Sequence, residues 1–276
     1  MIDELKHFLL IVERGTFTEA ARHAHLSQPA LTASIHRLET HFGARLLHRG
    51  TGGATPTAAG AALVPRARAV LAALADAGRA VAEIEGLHAG QVRVGAGATA
   101  CTYLLPPALA AFRGEHPGVH FLLREATTDE VLDALHIGDL DLGVITHDGG
   151  EPWFDDELIV VAAPDLPHPE RAPFVCFARG STSRDLFERH FPGREVVMEL
   201  GSIASVKGNV RAGIGVALIS RSAAAHDLAA GRLVAVPHPE TPIVRPLHLV
   251  HRGVDRLPPA AARLREVLLA RRPLPP

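Results

Sequence analysis

The chain has 276 residues, 47% of them apolar and 21% charged, which suits a packed core in about two domains and excludes a disordered polypeptide. A formal charge of −2 excludes a polybasic coat, so any nucleic-acid surface must be local, and two cysteines, Cys101 and Cys176, exclude a disulfide framework. The start of the chain lacks the basic and apolar stretches of a signal peptide, and no apolar run approaches the ~20 residues of a membrane span, so a soluble, cytoplasmic protein is expected.

Three regions follow in chain order. Residues 1–56 carry short helical patterns with tight breaks. Leu5, Phe8, Leu9 and Val12 share one helical face, and Gly15 ends it. Thr16-Phe17-Thr18-Glu19 reads as a capping box, with Thr16 as N-cap and Glu19 reaching back. The helix it opens carries Phe17, Ala20, Ala21 and Ala24, small enough for a second helix to approach closely. Ser27 then caps a further helix, with Pro29 in its first turn, where a missing N–H costs nothing. That helix turns Leu31, Ile35, Leu38 and Phe42 inward and stops at Gly43. Two helices joined by a tight turn, the second with a polar outer face, make a helix-turn-helix plan.

From Thr57 apolar residues recur at heptad spacing. Leu63, Val70, Ala77 and Ile84 hold one position; Ala67, Leu74 and Val81 hold the other. This spacing predicts a long helix that packs on another helix, with Pro65 in its first turns. Leu63, Val70, Leu74, Val81 and Ile84 are the expected dimer contacts; packing on the helix's own chain is the alternative.

From Gln91 strands and helices alternate. Strands are predicted at 91–95, 119–124, 140–145, 158–162, 173–177, 195–199, 215–219, 233–236 and 246–251. Helices are predicted at 104–115, 128–137, 183–191, 203–212, 221–230 and 258–270. The alternation implies parallel sheets with covered faces in two α/β lobes. Crossings are expected near Ala163 and between Pro239 and Arg245, with the last helix returning to the first lobe.

The motifs Phe17-Thr18-Glu19-Ala20-Ala21, Leu26-Ser27-Gln28-Pro29-Ala30-Leu31, Leu38-Glu39, Phe42-Gly43, Leu46-Leu47, Arg49 and Thr55-Pro56-Thr57-Ala58-Ala59-Gly60 are similar to those of LysR-type transcriptional regulators. Leu104-Leu105-Pro106, His116-Pro117, Gly138-Asp139-Leu140-Asp141 and Ala212-Gly213-Ile214-Gly215 extend the resemblance over essentially the whole chain. It implies an α + α/β protein: a winged helix-turn-helix at 1–58, a linker and dimerisation helix at 59–88, and an effector domain resembling periplasmic binding proteins at 91–276. Lobe 1 would be 91–162 plus 246–276, and lobe 2 would be 163–245. The resemblance also implies a homodimer or homotetramer on double-stranded operator DNA, with a small-molecule effector.

A helix-turn-helix places the start of its second helix in the major groove. The expected DNA contacts are Thr16, Ser27, Gln28, Pro29, Ala30, Thr32, His36, Arg37 and Arg49. Gln28 can pair bidentately with adenine, Pro29 and Ala30 can meet a thymine methyl, and Thr32 offers a hydroxyl or a methyl. Ser27 and Thr16 leave helix N–H groups near phosphates, and Arg37 and Arg49 suit phosphate. Two departures from the family weaken each module: Ala33 stands where many members carry Arg, and the wing Gly50-Thr51-Gly52-Gly53 holds no basic residue.

In the effector domain, Gly95-Ala96-Gly97-Ala98-Thr99-Ala100 nearly matches a dinucleotide-binding turn. An NAD-dependent oxidoreductase is therefore an alternative, although no acid sits at a strand end about 20 residues on. A stand-alone solute-binding protein is another. In the regulator reading no cofactor, metal or catalytic residue is expected, and ligands bind where strands end and helices begin. Thr99, Ala100, Cys101, Thr128, Thr146, Ser181, Ser183 and Ser202 then hold the effector, with Thr99 capping the helix after it. Gly180-Ser181-Thr182-Ser183-Arg184 reads as an anion cradle, so the effector is expected to be anionic. This stretch resembles the family branch that governs sulfur and carbon assimilation, and Cys101 is a candidate redox switch.

Overall fold

A computed structural model describes residues 1–50, 53–84, 90–271 and 273, with the backbone alone for Arg49 and for residues 79, 80 and 82–84. The chain divides into two compact units. The N-terminal unit begins with α1 (Ile2–Arg14), α2 (Phe17–His23) and α3 (Gln28–Phe42). The predicted punctuation is present. Gly15 and Gly43 close α1 and α3 in the left-handed region at φ 73° and 64°. Thr16 Oγ1 accepts from the Glu19 N–H and Ser27 Oγ from the Ala30 N–H. The capping box is only half formed, because the Glu19 carboxylate takes Arg22 at 2.5 Å instead of reaching back. Leu5, Phe8, Leu31, Ile35 and Leu38 bury one core against Ala20 and Ala21. Phe42 corrects the inward assignment: in the last turn before Gly43 it is 47% exposed, edge-on to His41.

The wing is a hairpin of β1 (Leu47–Gly50) and β2 (Gly53–Pro56), and α4 (Ala58–Ile84) follows with Pro65 inside it. The heptad positions divide. Ala67 is buried and Leu63 half-buried on the module's own core, so Leu63 is not a free contact. Val70, Leu74 and Val81 are exposed, and the Ile84 side chain lies outside the described residues. By length and composition alone Ala58–Gly78 would pass for a membrane span, but it packs Leu63 and Ala67 on the core of the N-terminal unit.

The C-terminal unit contains β3 (Gln91–Ala96), a π turn at Ala100–Leu104 running into α5 (Leu105–Glu115), β4 (His120–Glu125), α6 (Thr128–His136), β5 (Leu142–Ile145) and β6 (Glu151–Ala162). There follow β7 (Phe174–Phe177), α7 (Thr182–His190), β8 (Val196–Leu200), α8 (Ile203–Arg211), β9 (Ala217–Ser220), α9 (Arg221–Ala229), β10 (Val234–Val236), β11 (Ile243–Val250) and α10 (Pro259–Ala270). Strand order in the main sheet is β10-β6-β11-β5-β3-β4, with β9 also on β6, while β7 pairs with β8.

The parallel-sheet expectation holds for β3 with β4 and β5 and for β7 with β8, but β6 and β11 run antiparallel to their partners. These two strands pass through both lobes. Trp153, Leu247 and Leu249 share a core with α5 and α10, whereas Leu158, Val160 and Ile243 share one with Phe174 and Phe187. Residues 158–162 therefore pack in the second lobe, and the first crossing lies several residues before Ala163. The return of α10 to the first lobe is as expected; the Trp153 Nε1–H donates to the Leu268 carbonyl at 3.0 Å.

A buried charge cluster holds α8 and α9 together. Asp227 Oδ1 accepts from Arg232 Nε (2.8 Å) and Arg211 Nη1 (3.2 Å), and Lys207 Nζ lies 2.9 Å from Oδ2. Burial opposes ionisation of Asp227, but the hydrogen bonds from Lys207 and Arg232 outweigh it and hold the carboxyl down to about 2. A folded pKa below the unfolded value stabilises the fold above about pH 4, and that contribution is lost as pH falls toward 2. Asp227→Asn is expected to lower unfolding free energy by about 2 kcal/mol at pH 7. In urea titrations the gap to the parent should close between about pH 4 and pH 2.

Candidate functional site

In the N-terminal unit the outward face of α3 and the turn before it carry most of the predicted DNA contacts, with Thr16 at the start of α2 and Arg49 on β1. Ser27, Gln28, Pro29, Ala30, Ala33, His36 and Arg37 are exposed, and Thr16 and Thr32 are half-exposed. The inward side is fixed by Leu31, Ile35 and Leu38 and by a 2.7 Å hydrogen bond between His7 Nδ1 and Ser34 Oγ. The Arg49 side chain, Thr51 and Gly52 lie outside the described residues. Arg37 is held rather than free: its Nε donates to Glu4 Oε1 at 3.0 Å, and Glu4 Oε2 also takes the N-terminal ammonium at 2.5 Å. The ammonium first, then a backbone N–H and Arg37, bring the Glu4 carboxyl down to about 2, so it stays ionised at neutral pH. Glu4→Gln is expected to release Arg37 and strengthen DNA binding a few-fold at low salt, with the salt slope steeper by about one phosphate contact. Fluorescence anisotropy across salt concentrations measures both.

In the C-terminal unit a cavity of about 330 Å³ opens between the lobes. Local chemistry explains where its walls come from. The turn Gly97–Ala100 follows β3, α6 starts at Thr128 after β4, α7 starts at Thr182 after β7, and α8 starts at Ile203 after β8. Their first residues line the cavity, so the positive ends of these helices point toward it. Hydroxyls supply the remaining polarity. Thr128 Oγ1 and Thr146 Oγ1 lie 3.2 Å apart, and Thr146 Oγ1 lies 3.3 Å from Thr182 Oγ1. This row links the lobes and separates the cavity from a second one of about 430 Å³ that contains His147, Asp185 and Arg189.

Of the predicted effector residues, Thr99, Ala100, Thr128, Thr146, Ser181 and Ser183 line the cavity. Cys101 and Ser202 do not. The π turn rotates Cys101 so that its Sγ lies 3.3 Å from the Ala96 carbonyl, and burial, then the charge of Glu125, push the thiol up to about 11. A raised thiol pKa makes the thiolate scarcer at neutral pH. Ser202 is occupied as the α8 cap, accepting from the Ser205 N–H at 3.2 Å. Thr99 makes no side-chain cap. Its Oγ1 instead accepts from Arg245 Nη2 at 3.3 Å.

Arg245 is the residue that sequence reasoning missed. It is 7% exposed on β11 and lines the cavity. Nη2 also donates to Asp156 Oδ2 at 2.5 Å, and Nη1 donates to Ser183 Oγ at 3.0 Å. It thereby touches the Gly97–Ala100 turn, the crossing strand β6 and the start of α7 at once. Its Nε has no partner among the described residues. Asp156 is fully buried and accepts from Ser220 Oγ at 2.5 Å.

The glycines of the dinucleotide-like turn have other tasks. A Cβ on Gly95 would run into Leu140 and Val131, so Gly95 lets α6 approach the sheet, while a Cβ on Gly97 would meet open space.

Comparison with known proteins accounts for both units. Residues 2–61 match the family model described as bacterial regulatory helix-turn-helix protein, lysR family, and residues 85–273 match the LysR substrate binding domain. The HTH-type transcriptional regulator YeiE of Escherichia coli K12 is 31% identical over 284 residues, covering 94% of this chain and 94% of the relative. CbbR of Xanthobacter flavus, also an HTH-type transcriptional regulator, is 31% identical and covers 96% of this chain and 86% of its own. The crystal structure of ArgP from Mycobacterium tuberculosis shares the fold, with a TM-score of 0.72 and 21% identity over 97% of this chain and 95% of that one.

Proposed function

This chain belongs to the LysR family of bacterial helix-turn-helix transcription regulators, and from that premise we propose that its DNA readout is set by a small anionic effector held between the lobes. The family consists of regulators, not enzymes, so the oxidoreductase alternative falls. The helix-turn-helix rules out the stand-alone solute-binding alternative as well.

The observation that carries the anionic reading is Arg245. Its buried guanidinium lines the cavity that the first residues of α6, α7 and α8 also line, and it donates to Ser183 at the start of α7. Positive helix ends and a fixed cation favour a carboxylate, sulfate or phosphate group. Ser27 to Ala30, Thr32, His36 and Arg37 read operator DNA in the cytoplasm, with Thr16 and Arg49 on phosphates. Val70, Leu74 and Val81, exposed along α4, form the seam with a second copy. Pairing doubles the contacts of a module whose charge is weak. Effector binding shifts the lobe angle at β6 and β11 and re-spaces the paired modules.

The test is anisotropy of the full chain on its upstream intergenic DNA against a scrambled duplex, with and without small carboxylates, sulfate, phosphate and neutral analogues. Preferential binding that responds to anions supports the proposal. A response to neutral molecules alone overturns it.

A further inference from the structure

We propose that the effector is a zwitterion, an amino acid or a close relative, whose ammonium is read by Glu125 while its acid group meets Arg245. This rests on the anionic reading above and adds a second charge to it.

The cavity is poorer in positive charge than its helix ends suggest. The single guanidinium in its described lining, Arg245, is already neutralised by Asp156, which has no exposure to water. Two carboxylates, Glu125 and Glu130, also line the space. Glu130 is occupied locally, accepting from the Thr127 N–H at 2.8 Å and from Thr127 Oγ1 at 2.9 Å. Glu125 has no hydrogen-bond or ion-pair partner among the described residues. It ends β4 opposite Ala96 of β3, which places it beside the Gly97–Ala100 turn. The site therefore offers an acid-binding end at Arg245 and Ser183 and an unpaired carboxylate at Glu125.

A ligand with only negative charge would satisfy the first and face repulsion from the second. A ligand carrying one ammonium would satisfy both, and the hydroxyls of Thr99, Thr128 and Thr146 would accept or donate between them. The cavity volume of about 330 Å³ lies at the small end of ligand sites, as an amino acid requires.

The experiment titrates the full-length protein calorimetrically with pairs that differ in one group: L-serine against glycerate, L-aspartate against L-malate, and L-glutamate against 2-hydroxyglutarate. Ethanolamine and putrescine serve as amines without an acid. The expected result is a roughly tenfold preference for the amino acid in at least one pair, about the size of one charge-assisted hydrogen bond. Glu125→Gln, at an exposed position, should erase that preference, weakening the amino acid while the hydroxy acid binds at least as tightly as before. Equal binding within every pair, or preference for the hydroxy acid, overturns the zwitterion and leaves the anionic reading standing. Binding of the amines alone overturns both, and binding of no compound in any set overturns the zwitterion.

Discussion

Arg245→Met is expected to lower the unfolding free energy of the C-terminal unit by about 3–5 kcal/mol, because it leaves a buried carboxylate without its cation. Asp156 has no exposure, and its remaining described partner is the Ser220 hydroxyl at 2.5 Å. Urea unfolding followed by the fluorescence of Trp153, the single tryptophan, reads this unit, since Trp153 is buried against α10. The double variant Arg245→Met with Asp156→Asn should recover more than half of the loss, because no net charge is then buried. It should still fail to bind any acid-bearing ligand that the parent binds. Stability and binding separate here: recovery of both in the double variant would mean that the guanidinium only balances Asp156 and takes no part in recognition.

Arg245 also shows what the sequence withheld. The elements from Gln91 on were legible because strands such as Val92-Arg93-Val94 and helices such as Val131 to Leu135 bury one periodic face, and their predicted ranges lie within a few residues of the observed ones. The first half of β6 was not legible. Glu151-Pro152-Trp153-Phe154-Asp155-Asp156-Glu157 has the charge and the proline of a loop. It is a strand because its acids meet partners far along the chain: Glu151 takes Arg265, Asp156 takes Arg245 and Glu157 takes Arg221. No local pattern reports a pairing across some 60 to 110 residues, so neither the crossing point nor the cation in the cavity could be read. The position of Ser181 to Ser183 at the start of α7 was readable because a hydroxyl run before a helix is a local signal. Cys101 and Ser202 were misplaced for the converse reason: proximity in sequence to a helix start does not say which way a side chain turns.

Glu39→Ala is expected to cost the DNA-binding module about 2–4 kcal/mol and to abolish operator binding, although Glu39 is 9% exposed and faces away from the recognition surface. Its Oε1 accepts from the Leu46 N–H at 2.8 Å and from the Leu47 N–H at 3.4 Å, where the wing begins. Both leucines are buried, so removal of the carboxylate leaves their donors with nothing to bond. The Leu46 carbonyl in turn accepts from the Thr57 N–H at 3.0 Å, and Gly60 sits so close to that carbonyl that any Cβ there would strike it. One residue, Leu46, thus joins α3 to the wing and the wing to the first turn of α4. Glu39 sets the position of that junction from inside the recognition helix. Glu39→Gln keeps an acceptor in the same place and should hold stability within about 1 kcal/mol of the parent. Thermal unfolding and anisotropy on operator DNA distinguish the two variants. If Glu39→Ala bound DNA as the parent does, with only its melting point lowered, the wing would find its place without the carboxylate, and readout would rest on α3 alone.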